Sequence, residues 1–178
     1  MKIVKPKILV VLGPTATGKS DLAVKLAEKF NGEVISADSR QVYKGMDIGS
    51  GKITRREMKQ IPHHMLDIIS PKKVFTVSDF KKLTEEKIKD ILRRDKLPII
   101  CGGTGFYIQS IINDLNIPEV TANIPLRKKL EKWSIDRLNA ELKKLDSNRA
   151  SGIDNKNPVR LIRAIEIATA IGKIPKLR

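Results

Sequence analysis

The sequence predicts an α/β fold in which a parallel β-sheet is flanked by helices, with a helical segment toward the C-terminus. Short apolar runs at residues 8–12, 34–36 and 97–101 have the composition of buried parallel strands. Apolar residues at helical spacing occupy stretches between these runs, and strand patterns disappear beyond Pro118. Strands that alternate with helices are typical of a parallel sheet covered on both faces.

The N-terminal elements are bounded by residues that start or stop helices. Apolar spacing predicts a helix from Lys19 to about Phe30, and Asn31-Gly32 ends it. Residues 65–69 are a further candidate strand. Ser78 can cap a helix that runs to about Arg94, and another helix is predicted over residues 104–113.

The C-terminal part reads as helical throughout. Two basic, amphipathic helices are predicted near 124–133 and 134–145. Asn157 can cap a last helix, with Pro158 at its first position and Gly172 just past its end. The sequence therefore predicts an α/β core, an inserted helical segment and a returning core helix, at residues 1–117, 118–156 and 157–178.

The composition favours a basic protein of a reducing compartment. There are 35 Lys and Arg residues against 20 Asp and Glu, which gives a formal net charge of +15. Such an excess attracts polyanions, with nucleic acid as the first candidate, although solvated helix faces give the same count. The single cysteine, Cys101, excludes an intrachain disulfide. No apolar run approaches a signal peptide or a membrane span, so a soluble, cytoplasmic protein is expected. The oligomeric state stays open.

A phosphate-binding loop follows the first strand. The stretch Gly13-Pro14-Thr15-Ala16-Thr17-Gly18-Lys19-Ser20 matches GxxxxGK[ST] between a predicted strand and a predicted helix. In this P-loop arrangement backbone N–H groups point at phosphate oxygens, Lys19 supplies a full positive charge, and Ser20 offers an oxygen to Mg²⁺. The motif predicts a P-loop NTPase-like sheet and a diphosphate or triphosphate ligand. It does not specify the reaction.

Polar residues follow two other predicted strands. Asp38 and Ser39 come after residues 34–36, and Thr104 follows Gly102-Gly103. Because ligands bind at the carboxyl ends of parallel strands, these side chains are expected near the P-loop. Asp38 could bind Mg²⁺ through water or accept a proton, and the alternative is an Asp that stabilises its own loop. For Thr104 the alternative is an N-cap.

Three other groups of residues can be interpreted either as functional or as structural. His63 and His64 are adjacent, so their side chains diverge and a structural role is favoured over a shared metal. The basic segment with Lys52 at its start and Arg55, Arg56 and Lys59 after it could meet phosphate or form a solvated face. Arg160 and Arg163 share a helix face that suits an oxyanion or RNA, whereas an ion pair with Glu166 is the alternative.

Five stretches, in this order along nearly the whole chain, resemble the tRNA dimethylallyltransferases, also called tRNA isopentenyltransferases. They are GPTATGKS at 13–20, ADSRQVYKGMDIGSGK at 37–52, IPHHMLDI at 61–68, CGGTGFYI at 101–108 and NPVRLIRAIEI at 157–167. Enzymes of this family transfer a dimethylallyl group from dimethylallyl diphosphate to N6 of adenosine 37 in tRNA and release diphosphate. The resemblance implies that the P-loop holds this diphosphate in place of ATP. It also implies Mg²⁺ as cofactor and the tRNA anticodon stem-loop as partner.

The resemblance also implies roles for particular residues. Residues 13–20 would bind the diphosphate, with Lys19 countering its charge and Ser20 helping to hold Mg²⁺. Asp38 would be the general base for the adenine N6, Thr104 would touch the diphosphate or the nucleotide, and Arg163 would stabilise the released diphosphate. Contacts with tRNA are implied for Asp38, Ser39, Arg40, Gln41, Thr104, Arg127, Val159, Arg160, Leu161, Ile162 and Arg163.

The implied reaction is chemically consistent with the residues present. An allylic diphosphate leaves readily when Mg²⁺, a lysine and backbone N–H groups meet its developing negative charge. The adenine amine is a poor nucleophile, so a carboxylate that accepts its proton assists the attack. An adenosine in a loop must also leave its stack to enter a pocket. The net charge of +15 would then attract the phosphate backbone of the RNA.

The chain departs from the family pattern in three ways. Arg40 stands where the family usually has Met or a similar residue, and Ser50-Gly51-Lys52-Ile53 stands where it usually has Thr-Ala-Lys-Pro. Family members also continue well past the region of Gly172, so the resemblance implies a C-terminally shortened chain that lacks the rest of the family core. Alternatives therefore remain: a P-loop small-molecule kinase, an enzyme that prenylates free adenylate, and an inactive tRNA-binding remnant.

Overall fold

The structure is a computed structural model that describes residues 7–175, and it divides into two compact units. One unit ends at Leu115 and the other begins at Asn116. The three-part division expected from the sequence stays a prediction, and the ends of its outer segments, residues 1–6 and 176–178, lie outside the described residues. Within residues 7–175, no helix has both the length and the apolar character needed to cross a membrane.

The N-terminal unit contains a four-stranded parallel sheet, as predicted. Its strands are β1 (Leu9–Leu12), β2 (Gly32–Ser36), β3 (His63–His64) and β4 (Leu97–Gly102), in the spatial order β1-β4-β2-β3. Ile99 of β4 is level with Leu9 of β1 and with Val34 of β2, and Val34 is level with His63 of β3. All of these pairings are parallel, so the carboxyl ends of the strands meet at one edge.

Helices cover both faces of this sheet. They are α1 (Lys19–Phe30), α2 (Val77–Arg93) and α3 (Gly105–Ile112). On one face, Ala23 and Ala27 of α1 share a buried cluster with Val34 and Ile99. Neighbouring residues of the same strands, such as Ile35, point the other way and share a second cluster with α2 and α3. Side chains therefore alternate between two cores along each strand.

The strand predicted at 65–69 is wrong. Met65 and Asp67 have φ values of 65° and 53°, which are left-handed conformations that an extended strand does not contain. The strand instead occupies His63–His64, and beyond it only an isolated bridge between Tyr43 and Ile69 continues the pairing.

The predicted start of α2 is also corrected. Its N-cap is Thr76, whose side chain accepts a hydrogen bond from the backbone N–H of Asp79. The Asp79 carboxylate accepts in turn from the backbone N–H of Thr76, which completes a capping box. Ser78 lies inside the first turn of the helix.

The helices of the C-terminal unit are α4 (Ile124–Leu130), α5 (Ile135–Leu145), α6 (Ser147–Gly152) and α7 (Pro158–Ile171). The sequence predicted α5 and α7 closely, including the Asn157 cap, whose side chain accepts from the N–H of Arg160. The helix α4 ends three residues earlier than predicted, and α6 was not predicted. Leu130, Leu142 and Leu161 belong to the core of this unit, and α7 packs on α5.

Candidate active site at the phosphate loop

The phosphate loop connects the end of β1 to the start of α1. Two of its residues, Ala16 and Gly18, have φ values of 64° and 78°, so the backbone turns through left-handed conformations before the helix begins. The Thr17 hydroxyl donates to the carbonyl of Pro14 at 2.8 Å and closes the loop on itself. The helix α1 starts at Lys19, which places its free N–H groups at the loop.

Lys19 and Ser20 are the charged and hydroxyl residues of this loop. The Lys19 ammonium donates to the carbonyl of Pro14 at 2.7 Å and so lies folded over the loop. Both residues line a cavity of about 190 Å³, which the loop shares with the carboxyl ends of β2 and β4. The complete lining is Thr15, Ala16, Gly18, Lys19, Ser20, Val34, Ser36, Asp38, Gln41, Ser50, Gly51, Ile53, His63, Cys101 and Gly102.

Asp38 reaches this cavity because of the alternation along β2. Val34, Ser36 and Asp38 are two residues apart and line the cavity together. The Asp38 Oδ1 atom also accepts hydrogen bonds from the N–H groups of Arg40, at 2.8 Å, and Gln41, at 3.4 Å. The carboxylate therefore stabilises its own turn and also faces the cavity. The structural role and the position expected of a functional residue are both present.

Thr104 supports the Asp38 segment. It occupies the N-cap position of α3, but its side chain makes no hydrogen bond to the helix. Its Oγ1 atom accepts instead from the N–H of Ser39 at 3.0 Å, and it lies 3.4 Å from the Ser39 hydroxyl. The same segment is held by its backbone, since the Ala37 N–H donates to Cys101 and the Thr104 N–H donates to Ala37.

Gln41 connects this segment to a second wall of the cavity. Its side-chain amide donates to the carbonyls of Gly51, at 3.2 Å, and Ser50, at 3.4 Å. Both of those residues, with Ile53, line the cavity. Its neighbour Arg40 is exposed. Of the predicted run at 38–41, Asp38 and Gln41 are thus the two members in the cavity lining.

Lys52 anchors this second wall. The sequence had suggested that its basic segment contacts phosphate or forms a solvated helix face. Its side chain is only 6% exposed. The ammonium donates to Asp47 Oδ1 at 2.7 Å, to Asp67 Oδ1 at 2.5 Å and to the carbonyl of Tyr43 at 2.9 Å. Burial opposes the charge, but the hydrogen bonds that Lys52 donates to Asp47 and Asp67 outweigh this effect and raise the pKa of Lys52.

His63 is a cavity residue for which the sequence favoured a structural role. It reaches the site because β3 places it level with Val34. Its Nδ1 atom lies 2.8 Å from the carbonyl of Ile61, so this nitrogen carries the proton. Burial lowers the pKa of His63, which favours the neutral ring. The adjacent His64 points elsewhere and contacts the carboxylate of Glu33 at 2.8 Å.

Cys101 forms part of the cavity floor. Its thiol lies 3.5 Å from the carbonyl of Lys19, and burial raises its pKa to about 11. The thiol is therefore uncharged at neutral pH. Cys101 is the register partner of Ser36, a relation that the sheet topology reveals and the sequence does not.

The donor atoms in the cavity fit a magnesium ion. The Ser20 hydroxyl and the Asp38 carboxylate both line it, and oxygen ligands of this kind suit Mg²⁺ when phosphate oxygens and water supply the rest. Among residues 7–175, no group of three or more His, Cys, Asp or Glu side chains forms a metal cluster.

The predicted arginines of the C-terminal unit surround Glu166. Arg127 donates to both carboxylate oxygens, from Nε at 2.8 Å and from Nη2 at 2.7 Å. Arg163 also donates to Glu166 and, through Nη2, to the carbonyl of Val120 at 2.9 Å. Burial opposes ionisation of Glu166, yet the two arginines lower its pKa to about 2. The ion pair considered as an alternative for Arg163 is thus present.

The other residues predicted to contact tRNA lie on α7. Val159 is 74% exposed, and Arg160 is exposed and paired with Asp154 at 3.3 Å. Leu161 and Ile162 belong to the buried core of the unit, so their side chains pack inward. The expected strip at 159–163 therefore offers the side chains of Val159, Arg160 and Arg163, whose tRNA contacts remain a prediction.

A glycine-bearing loop that connects a strand to a helix and lines a cavity with Lys19 and Ser20 defines a P-loop protein of the α/β class. The family model for IPP transferase matches residues 41–177. The chain belongs to the IPP transferase family.

Relatives of known structure and name agree with this family. The chain is 48% identical over 167 residues to a tRNA dimethylallyltransferase of Anoxybacillus flavithermus, covering 94% of this chain and 54% of that protein. It is 42% identical over 177 residues to the tRNA dimethylallyltransferase of Bacillus subtilis, with coverage of 97% and 56%.

Two solved structures are similar to the chain over most of its length. The tRNA isopentenylpyrophosphate transferase of Bacillus halodurans matches with a TM-score of 0.64 and 42% identity, over 94% of this chain and 57% of that one. A eukaryotic dimethylallyltransferase acting on tRNA matches with a TM-score of 0.78 and 33% identity, over 94% and 43%. The chain spans about half the length of the curated relatives it matches.

Proposed function

We propose that this chain carries the donor site and the catalytic base of a tRNA dimethylallyltransferase. The reaction would move the dimethylallyl group from dimethylallyl diphosphate to N6 of adenosine 37 in tRNA and release diphosphate. The observation that carries the proposal is the single cavity lined by Lys19, Ser20 and Asp38, which joins a phosphate-binding loop to a carboxylate. The names of the relatives support the choice of donor and acceptor.

The phosphate loop binds the donor in this proposal. Its backbone N–H groups and the N-terminus of α1 bind the diphosphate, and the Lys19 ammonium turns from Pro14 to the phosphate oxygens. Because these groups are fixed before the reaction, they stabilise the negative charge that develops as the carbon–oxygen bond breaks. A magnesium ion held by Ser20 would supply further charge neutralisation to the leaving diphosphate.

Asp38 is the general base in this proposal. Its carboxylate accepts the proton that the adenine N6 loses when the new carbon–nitrogen bond forms. The hydrogen bonds from Arg40 and Gln41 hold the carboxylate in place without a change of rotamer. Thr104 acts through Ser39 by fixing the backbone of this segment.

The tRNA is bound by the basic surface of the chain. A formal charge of +15 suits an RNA backbone, and Arg40, Arg127, Val159, Arg160 and Arg163 are the proposed contacts with the anticodon stem-loop. The side chains of Arg127 and Arg163 are 34% and 37% exposed, although both pair with Glu166. A tRNA substrate supports a cytoplasmic location for the proposed reaction.

The decisive experiment searches for the product nucleoside. The purified chain is mixed with dimethylallyl diphosphate, Mg²⁺ and unmodified tRNA with adenosine at position 37, and the digested tRNA is analysed by mass spectrometry. We expect N6-dimethylallyladenosine. Asp38→Asn should lower its rate of formation by about 100-fold or more, because the amide keeps the hydrogen bonds to Arg40 and Gln41 but cannot accept the proton. The matched control is Asp136→Asn, at an exposed position of α5.

Other outcomes select among the alternatives. Undiminished product from Asp38→Asn would show that another group is the base. If the Bacillus subtilis relative makes product and this folded chain makes none, salt-sensitive tRNA binding alone would favour a tRNA-binding remnant. Phosphoryl transfer from ATP without prenylated nucleoside would favour a kinase, and prenylated free adenylate would favour a free-nucleotide acceptor.

A further inference from the structure

The cavity changes from polar to apolar along β2. Asp38 and Ser36 line its upper part near the phosphate loop, and Val34 lines it two residues deeper. Residues two apart in a strand are separated by about 7 Å, which is longer than a hydrogen bond and comparable to a short alkyl chain. Val34 also belongs to the buried cluster beneath α1. A ligand anchored at the loop and extending inward therefore meets apolar surface.

The side chains around Val34 are uncharged. His63 lies level with Val34 in the sheet, its Nδ1 lies against the carbonyl of Ile61, and burial lowers its pKa and favours the neutral ring. Cys101 lies one level higher, opposite Ser36, with its thiol protonated. Neither side chain carries a charge, so binding of an alkyl group here would not remove a charge from water. This part of the cavity therefore favours an apolar ligand group.

Ile53 lines the cavity from the second wall, together with Ser50 and Gly51. Its backbone follows Lys52, whose buried ammonium is tied to Asp47 and Asp67, and the wall is tied a second time by Gln41 to Gly51. The wall is thus tied to the rest of the unit at two points. The cavity of about 190 Å³ is also smaller than the several hundred Å³ typical of sites for drug-sized ligands.

We propose that the apolar part of the cavity, formed by Val34, Ile53, His63 and Cys101, receives the alkyl chain of the prenyl diphosphate donor, and that Ile53 limits that chain to five carbons. This inference rests on the proposed function. It assigns Ile53 the role of a specificity residue, because its side chain occupies the volume that the next isoprene unit of a longer donor needs.

The test compares dimethylallyl diphosphate with the ten-carbon geranyl diphosphate. The wild-type chain, Ile53→Ala and Ile53→Val are assayed for kcat/KM with each donor, and binding of each donor is measured by calorimetry in the presence of Mg²⁺. Ile53→Ala should raise the geranyl-to-dimethylallyl ratio by about tenfold or more, with Ile53→Val between, because each missing methyl group opens space for the longer chain. Affinity for inorganic diphosphate should not change. The control is Ile48→Ala, at a side chain 99% exposed on the same loop.

Each result decides the inference separately from the proposed function. An unchanged donor ratio in Ile53→Ala, with a folded and active wild type, overturns the inference alone. A changed KM for tRNA with unchanged donor constants also overturns it, because Ile53 would then face the acceptor. If the wild type binds both donors without transferring either, the proposed function fails and the calorimetric ratio still tests Ile53. If it binds neither donor, both are overturned.

Discussion

Gly102 shows how a single residue brings the site together. A Cβ atom at this position would lie 2.2 Å from the carbonyl oxygen of Ala37, closer than any side chain allows. Without a side chain, the end of β4 passes directly beside Ala37, and the hydrogen bonds from Ala37 to Cys101 and from Thr104 to Ala37 can form. This close approach carries Asp38 to the cavity.

Gly102→Ala should therefore lower the free energy of unfolding by about 2–4 kcal/mol, because the backbone of one segment must shift. The matched control is Gly103→Ala, whose Cβ would meet the carbonyl of Gly13 at an ordinary 3.4 Å. Urea unfolding followed by circular dichroism measures both. Equal stability of the two variants would contradict the close packing at Gly102.

Residue positions at strand ends could be predicted, whereas positions in the long loop could not. The phosphate loop and Asp38 follow directly from where strands stop, and they share a cavity as expected. Lys52 and Ile53 owe their places to the folding of the segment between β2 and β3, which has no periodic pattern. A lysine among other basic residues gave no sign that two aspartates would bury it.

Elements with a strong periodic pattern were predicted well, and short or left-handed ones were not. The helices α1, α5 and α7 begin and end within about two residues of their predicted bounds. The two-residue strand β3 is too short for any alternation to appear, and an apolar run after it suggested the wrong strand. The left-handed residues in that apolar run accompany backbone hydrogen bonds to the segment at 41–44. Sequence patterns do not reveal such contacts.

The corrected cap of α2 can be tested directly. Thr76→Ala should lower the free energy of unfolding by about 1 kcal/mol, because it removes the side-chain half of the capping box. Ser78→Ala, two residues away, should change it by less than about 0.5 kcal/mol. Urea titrations of both variants give the comparison, and a larger loss in Ser78→Ala would restore the cap expected from the sequence.

Glu166 joins α7 to α4 and makes the stability of the C-terminal unit depend on pH. Its pKa of about 2 in the folded protein lies below its ordinary value of 4.5. A lowered pKa stabilises the fold at pH values above 4.5, and this contribution is lost as the pH falls toward 2. The loss should be on the order of 3 kcal/mol.

The measurement follows the fluorescence of Trp133, the single tryptophan, in urea titrations between pH 7 and pH 2. Glu166→Gln should be less stable at pH 7, since Arg127 and Arg163 lose their partner, and its stability should vary less across the acid range. Glu119→Gln, at an exposed position of the same unit, is the control. Parallel pH profiles for wild type and Glu166→Gln would rule out this role.

In the proposed function, the net charge of the whole molecule governs its encounter with RNA. An excess of +15 predicts that binding releases counterions from the phosphate backbone. The dissociation constant for unmodified tRNA should rise at least tenfold between about 50 and 200 mM salt. Filter binding across a salt series measures the slope, with dimethylallyl diphosphate as a small-ligand comparison. A flat slope would show that the charge is spread over faces that do not meet RNA.

The strand order has a consequence for how the molecule is made. Leu9 of β1 pairs with Ile99 of β4, so β1 meets its partner strand only after ninety further residues have been added to the growing chain. The loop at 13–20 is therefore translated well before β4, the strand that pairs with β1 and packs against α1. High sequence separation of this kind slows folding. A nascent chain stalled before Leu97 should hold a complete phosphate-binding motif and bind no diphosphate.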